Sequence, residues 1–226
     1  MPALPLESTP PVALITGGAG DLAQAIQTEL ENQGWHVHAP ARAEMDVTDR
    51  AQVQATLSAL PRLDLLIHAA GSLRDAPMLR MSESDFHQSL QVHLKGAFLT
   101  AQAALKTMIR QRQGHLLFIG SYSALSGPAG QANYAAAKAG LIALTQSLAA
   151  EYGPRNIRAN CVLPGFLETS LSCSLLEKRR PEIEAAHTLG RLNTPQDSAR
   201  FIAFLHSLQH VSGQVFQLDS RVHRWS

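Results

Sequence analysis

The sequence predicts an α/β protein, a doubly wound parallel sheet in a single domain. Three observations predict it. Short apolar runs alternate along the chain with longer segments of helical spacing. The first apolar run leads directly into a glycine cluster, Gly17-Gly18-Ala19-Gly20, and then into a helical pattern. The connections between runs are long enough for crossover helices, which parallel neighbours require.

Val12–Thr16 (Val-Ala-Leu-Ile-Thr) reads as the first strand. Leu22 to Leu30 has helical spacing, and Gly34 closes it. Strand, glycine turn and helix together form the context that a dinucleotide pyrophosphate needs. Glycines let the backbone approach, and the helix N-terminus offers free N–H groups. Trp35–Ala39 reads as the second strand, ended by Pro40. The turn after it carries Arg42 and no acid. An acid there would hold ribose hydroxyls and favour NAD. A guanidinium instead suits a 2′-phosphate, although a solvated turn arginine is also common.

Thr48 or Asp49 can cap a helix over 50–60. Leu63–Ala70 is the third strand, with Gly71 at its exit. Ser82 opens a capping pattern before a helical segment reaching Arg112, which Gly114 ends. Leu116–Ile119 is the fourth strand. The next helix carries Tyr134 and stops at Gly153-Pro154. Asn156–Leu163 is the fifth strand, closed by Pro164-Gly165. Residues 168–188 are polar and mixed, with Lys178-Arg179-Arg180 among them, and read as a mobile flap. Thr194-Pro195 starts a last helix to about Leu208, and Gln214–Leu218 is a final strand. Residues 1–11, rich in proline, read as a loose tail without the basic start and apolar stretch of a signal peptide, leaving 12–226 as the domain.

Composition excludes several function classes. The 226 residues carry a formal net charge of +1, so nothing global points to nucleic acid. Two cysteines, Cys161 and Cys173, make no disulfide framework and fit a reducing, cytoplasmic setting. Cys161 falls in a strand and reads as a core residue. No apolar run approaches a membrane span. His206 and His210 are four apart on an expected helix, but no third ligand accompanies them, so they read as a surface pair and no metal site is expected. His36 and His38 alternate on a strand and read as packing or surface positions.

The chemistry concentrates between Ser121 and Lys138. Tyr134 and Lys138 share one helix face, one turn apart. Ser121 lies at the exit of the fourth strand. A phenol, an ammonium and a hydroxyl can thus converge at the C-terminal sheet edge, where open α/β sheets bind ligands. A nearby ammonium favours the phenolate and would lower the tyrosine pKa. Tyr134 could then exchange a proton with a carbonyl or alcohol oxygen, while Ser121 holds that oxygen. No side chain delivers hydride, so a nicotinamide cofactor must. A bare Tyr-x-x-x-Lys is usually an ordinary surface pair, so the case rests on its surroundings.

Those surroundings resemble the short-chain dehydrogenase/reductase family, a Rossmann-fold group, over essentially the whole chain. The matching pieces are Thr16-Gly17 with its glycine turn, Asp46-Val47, Ala70-Gly71, Ser121, Tyr134-x-x-x-Lys138 and Pro164-Gly165. Within the family the chain is most similar to the 3-oxoacyl-[acyl-carrier-protein] reductases, through residues 74–81, 130–142, 164–169 and Gly190-Arg191-Leu192. The resemblance implies Tyr134 as acid–base residue, Ser121 as substrate-positioning hydroxyl, and Lys138 as ribose ligand and partner of the tyrosine. It places Gly17, Gly18, Ala19, Gly20 and Leu22 at the pyrophosphate, Asp46 and Val47 beside adenine, and Ala69 and Gly71 near ribose. Pro164, Gly165, Leu167 and Thr169 would hold the carboxamide end. Arg112 and Arg155 fall where the family carries basic residues linked to docking of acyl carrier protein, though solvated surface arginines are an equal alternative. The long helices over 82–112 and 133–152 resemble those that pair subunits, implying a homodimer or homotetramer.

The sequence also departs from the family. Asp21 and Ala23 replace glycines. An aspartate beside a pyrophosphate would repel it, so the expectation is that Asp21 points away and caps the helix. His68-Ala69-Ala70-Gly71 stands for Asn-Asn-Ala-Gly. His93 replaces the tetrad asparagine and is read two ways, as a water-holding relay residue or as a core histidine bonded to backbone. Asp219-Ser220-Arg221 replaces Asp-Gly-Gly. The expected function is NADPH-dependent reduction of a 3-oxoacyl thioester, in fatty acid biosynthesis. Alternatives are another ketone or secondary alcohol, or a nucleotide-binding subunit with little turnover.

Overall fold

A computed structural model describes residues 9–222. Its centre is one six-stranded, all-parallel sheet in the order β2-β1-β3-β4-β5-β6. The strands are β1 (Val12–Thr16), β2 (His36–His38), β3 (Leu65–His68), β4 (Gly114–Ile119), β5 (Ile157–Leu163) and β6 (Val215–Gln217). Every residue of β3, β4 and β5 is buried. Central parallel strands are covered on both faces, so they read as unbroken apolar runs.

Alternate side chains feed two separate cores. Ala13, Ile15, Leu65, Ile67, Leu117 and Val162 face α1 (Asp21–Asn32) and α8 (Pro195–Ser207). Leu14, Leu66, Leu116, Phe118 and Cys161 face the other layer. That layer holds α2 (Arg50–Ser58), α4 (Gly96–Gln111) and α6 (Ala132–Tyr152). Cys161 is fully buried, as its place in a strand predicts.

Most ends follow local chemistry. Asp49 caps α2 by accepting from the N–H groups of Ala51 and Gln52. Ser82 caps α3 (Glu83–Leu90) through the Asp85 N–H, and Thr194 caps α8 through that of Asp197. Arg158 closes the other end of α8, donating to the carbonyls of Leu208 and His206 at 2.7 and 2.8 Å. The segment read as one helix from Ser82 to Arg112 is broken by a π-turn at Gln91–Lys95, and Arg112, in the left-handed region at φ 52°, ends it in place of Gly114, the first residue of β4. Short α5 (Ser123–Ser126), which the sequence did not reveal, follows β4.

The flap is the largest difference from expectation. Residues 173–185 form helix α7, bent at Arg179, whose φ and ψ are −137° and 20°. The bend stands two residues before Pro181, whose ring excludes a straight helix through the preceding turn. Arg180 bridges Glu168 at 2.5 Å and Glu184 at 3.2 Å, closing the segment on itself. Of the tail read over 1–11, residues 1–8 lie outside the described residues. Thr9 accepts from Arg62, and the Pro11 carbonyl accepts from His36 N–H, so the chain is already fastened there. His210 lies beyond the end of α8, and His206 is half-buried against Trp35 in an edge contact of 4.8 Å. The two therefore do not form the surface pair expected. His36 and His38 are exposed.

Candidate active site

The C-terminal ends of β1, β3, β4 and β5 meet at one edge of the sheet. β1 ends in the glycine turn. Gly17 has φ +73°, and a Cβ on it would lie 2.8 Å from the Ala70 backbone. Gly18 is pressed against the Ala39 carbonyl in the same way, and its N–H donates to Pro40 at 3.0 Å. Side chains are excluded here for lack of room. The result is a backbone-lined cradle opening on the N-terminus of α1, where Gly20 supplies no side-chain cap. Such a cradle fits an extended anion with a flat group on either side, as in a dinucleotide. Thr16, buried at the end of β1, holds the opposite wall. Its hydroxyl oxygen accepts from the N–H groups of Ala69 and Ala70 at 3.1 and 3.0 Å. Sequence reasoning gave Thr16 no such role, although a threonine closing an apolar strand was visible.

Ser121 follows β4, and its Oγ accepts from the Ser123 N–H at 3.2 Å. Tyr134 and Lys138 project from the first turns of α6. Asn133, fully buried, anchors that end by donating to the Arg74 carbonyl at 2.8 Å. Gln131 links Ser123 (2.8 Å) to Asp75 (2.7 Å), tying the Ser121 loop to the segment after β3. The structure thus brings Ser121, Tyr134 and Lys138 together. Burial pushes the Tyr134 phenol up to about 12, against a hydrogen bond with Ser121 that pulls it back. The expected lowering by Lys138 is absent. Lys138 lies 5.5 Å from the tyrosine ring centroid and donates to the Ile119 carbonyl at 2.6 Å. Burial itself pushes Lys138 down to about 8, so it keeps its charge at neutral pH and loses it as the pH rises past that value.

His93 sits in the π-turn, buried, edge-on to Tyr134 with ring centroids 5.0 Å apart. Its Nε2 donates to the Ser72 carbonyl at 2.8 Å. This is the backbone-bonded reading of His93. Burial, then the Lys138 charge, push it down to about 3, so the ring is neutral at working pH. Gly71 is packed on it, since a Cβ there would lie 2.6 Å from His93 Cε1.

Several expected cofactor residues surround the cradle; others stand apart. Ala69 and Gly71 lie at the exit of β3, and Gly165, at φ +87°, follows β5 packed on Asp219. The Pro164 carbonyl accepts from Asn193 at 2.8 Å, and Leu167 bridges to the same Asn193, a residue the sequence did not single out. Thr169 N–H donates to Ser172. Val47 points into the core rather than the cleft, where Gly96 makes room for it. Asp46 is engaged by Thr48 and by Arg42 at 3.2 Å, and Arg42 is otherwise exposed. Asp21 does not cap α1, against expectation; it bonds to Ser170, far along the chain. Arg112 and Arg155, both exposed, precede β4 and β5, so they stand at the opposite sheet edge from Tyr134. Among the described residues no three side chains form a metal-binding group, and no helix is long and apolar enough to cross a membrane.

Comparison with known proteins agrees with this architecture. Residues 14–223 match the family model described as enoyl-(acyl carrier protein) reductase. The 3-oxoacyl-[acyl-carrier-protein] reductase of Aquifex aeolicus is 35% identical, over 95% of this chain and 88% of its own. That of Thermotoga maritima is also 35% identical, over 92% and 96%. Among solved structures, ElxO with NADP bound superimposes with a TM-score of 0.86 at 26% identity, covering 94% of this chain and 98% of that one. An oxidoreductase of the short-chain dehydrogenase/reductase family from Burkholderia thailandensis gives 0.88 at 27% identity, covering 94% and 92%. The chain belongs to the short-chain dehydrogenase/reductase family of oxidoreductases.

Proposed function

We propose that this protein reduces a 3-oxoacyl thioester carried on acyl carrier protein to the 3-hydroxyacyl thioester, with NADPH as cofactor. The observation that carries the reading is the Ser121 hydroxyl set against the Tyr134 phenol, with Lys138 one helix turn away, at the sheet edge that also bears the glycine cradle. The relatives named as 3-oxoacyl-[acyl-carrier-protein] reductases support the substrate class. When bound, the nicotinamide supplies hydride to the carbonyl carbon.

The chain's own groups do the rest. Ser121 donates a hydrogen bond to the substrate oxygen and stabilises charge developing there. Tyr134 gives its phenolic proton to that oxygen. A phenol held at about 12 is fully protonated at neutral pH. An alkoxide is a much stronger base than a phenolate, so this transfer runs downhill in the reductive direction. Lys138, its ammonium 5.5 Å from the Tyr134 ring centroid, would hold the nicotinamide ribose. His93 acts as a positioning residue, fixing the Tyr134 ring through the edge contact and the loop after β3 through Ser72. Gly17–Gly20 with Leu22 cradle the diphosphate, and Pro164, Gly165, Leu167 and Thr169 face the carboxamide end. Arg42, exposed and paired with Asp46 at 3.2 Å, would meet a 2′-phosphate, which would favour NADPH over NADH. Arg112 and Arg155 sit too far around the sheet to serve the same subunit's Tyr134, so carrier docking through them belongs to a homodimer or homotetramer in which they neighbour another subunit's cleft.

The test follows NADPH oxidation with acetoacetyl-acyl carrier protein, the free acetoacetyl thioester and a simple ketone. Preference for the carrier-bound thioester, lost on Arg112→Glu or Arg155→Glu, is expected. Faster turnover of the simple ketone would reject the substrate assignment.

A further inference from the structure

Asp21 is the first residue of α1, at the mouth of the glycine cradle. Its Oδ2 accepts from the Ser170 backbone N–H at 2.6 Å and from the Ser170 hydroxyl at 2.8 Å. These bonds join parts of the chain 149 residues apart. They fasten the near end of the 168–188 flap to the helix terminus on which a dinucleotide's diphosphate would rest.

The far end of the flap is fastened differently. Thr188 donates twice to the Ser220 carbonyl, from its N–H at 3.2 Å and its hydroxyl at 2.8 Å. Leu189 N–H donates to Ser220 Oγ at 3.2 Å. His187 and the Asp219 carboxylate, both buried, lie 3.7 Å apart, and Arg221 clasps the same carboxylate while stacking 3.9 Å over the Tyr122 ring. Between the two ends the flap is braced on itself by Arg180 and Glu168. One end is thus multiply bonded around the buried His187 and Asp219 side chains. The other reaches α1 through one carboxylate in contact with solvent, beyond the buried Leu167 and Leu176. Local opening takes the weaker route, through exposed hydrogen bonds with little packing around them.

A diphosphate resting on the α1 terminus would stand beside the Asp21 carboxylate, a like charge that the bonds to Ser170 hold in place. We propose that Asp21 and Ser170 form a latch that holds the flap down beside the diphosphate subsite and sets the rates at which the nicotinamide dinucleotide associates and leaves. Asp21 is in this sense a positioning residue: it acts through the flap. The inference rests on the cofactor reading above.

Two measurements test it on the full chain. The first is amide exchange in cofactor-free protein, comparing wild type with Asp21→Gly and Ser170→Ala. At least tenfold faster exchange over 169–176 is expected in Asp21→Gly, with 187–190 unchanged. Equal exchange in wild type and Asp21→Gly would overturn the latch, whatever the cofactor does. The second is stopped-flow NADPH binding. Both variants should associate and dissociate at least fivefold faster than wild type. Ser170→Ala keeps the charge, so repulsion alone predicts wild-type rates for it and a tighter Kd for Asp21→Gly only; that pattern would overturn the proposal. Wild type that bound neither NADPH nor NADH would refute the cofactor reading and the rate claim together, while the exchange result would still decide whether the latch exists.

Discussion

The Ser121–Lys138 segment and the 168–188 flap lie at the same edge of the sheet but are held in opposite ways. The first is fixed from below. Its residues leave a fully buried strand or the first turns of a 21-residue helix, and Asn133 and Lys138 are themselves buried. The flap is fixed mainly from its ends, by Asp21 on one side and by residues 219–221 on the other, with Leu176 its one buried helix residue. A proton-transfer group must be held to within a fraction of an ångström, which core packing supplies. A segment held at an exposed end by a few hydrogen bonds can open locally.

Breaking the fixed half gives the largest effects. Ser121→Ala should lower the reductive kcat by roughly 10²–10³-fold with little change in Tm, since it removes a donor aimed at developing charge. A loss confined to KM would contradict that role. The pH profile sharpens the same point. Reductive turnover should be level from pH 5.5 to 7.5, because His93 is already neutral, and should fall above about 8 as Lys138 loses its proton. A break near 6.5 would show that His93 titrates in the working range.

Gly17→Val comes next. It demands φ +73° of a β-branched residue and pushes Cβ to 2.8 Å from the Ala70 backbone. Strain at such a position costs on the order of 1–3 kcal/mol. Thermal denaturation should show it, together with loss of dinucleotide binding. Unchanged binding would place the cofactor elsewhere.

Acid should loosen the sheet before the flap. His68, His93 and His115 are buried, and burial pushes each below its ordinary 6.5. Below 6.5 the unfolded chain takes up protons that the folded chain refuses, so stability is present above 6.5 and drains as the pH falls toward about 3. By pH 5 the loss is on the order of 2 kcal/mol each for His68 and His93. A Tm independent of pH between 7 and 5 would contradict this. The smallest effect is expected at Arg180→Ala. Its ion pairs are exposed, so stability should change by less than about 1 kcal/mol. KM for the acyl substrate should rise while kcat stays within about twofold; a collapse of kcat would mean that the flap positions the reacting groups.

The same contrast explains what the sequence disclosed. All six strands were legible, because central parallel strands are unbroken apolar runs and the edges were marked by Gly34, Pro40, Pro164 and Gly165. The meeting of Ser121, Tyr134 and Lys138 was legible too, because strand exit and helix spacing fix it. Helix α7 was not. Its sequence buries one residue, Leu176, and holds Pro181, so no apolar stripe announces it. The Asp21 bond to Ser170 was hidden for another reason: local capping is a rule of neighbouring residues, whereas this contact is a product of the fold. The Tyr134 shift was misread because a tyrosine–lysine spacing shows the charge but not the burial, and burial is the larger influence on both groups.

The most direct test of the central claim is NADPH consumption with an acetoacetyl thioester by wild type and by Tyr134→Phe, each shown to bind NADPH and to keep its Tm. The account predicts a loss of at least about 10²-fold in kcat, with NADPH affinity within a few-fold of wild type. Normal turnover by Tyr134→Phe would contradict it and move the proton donor to another group.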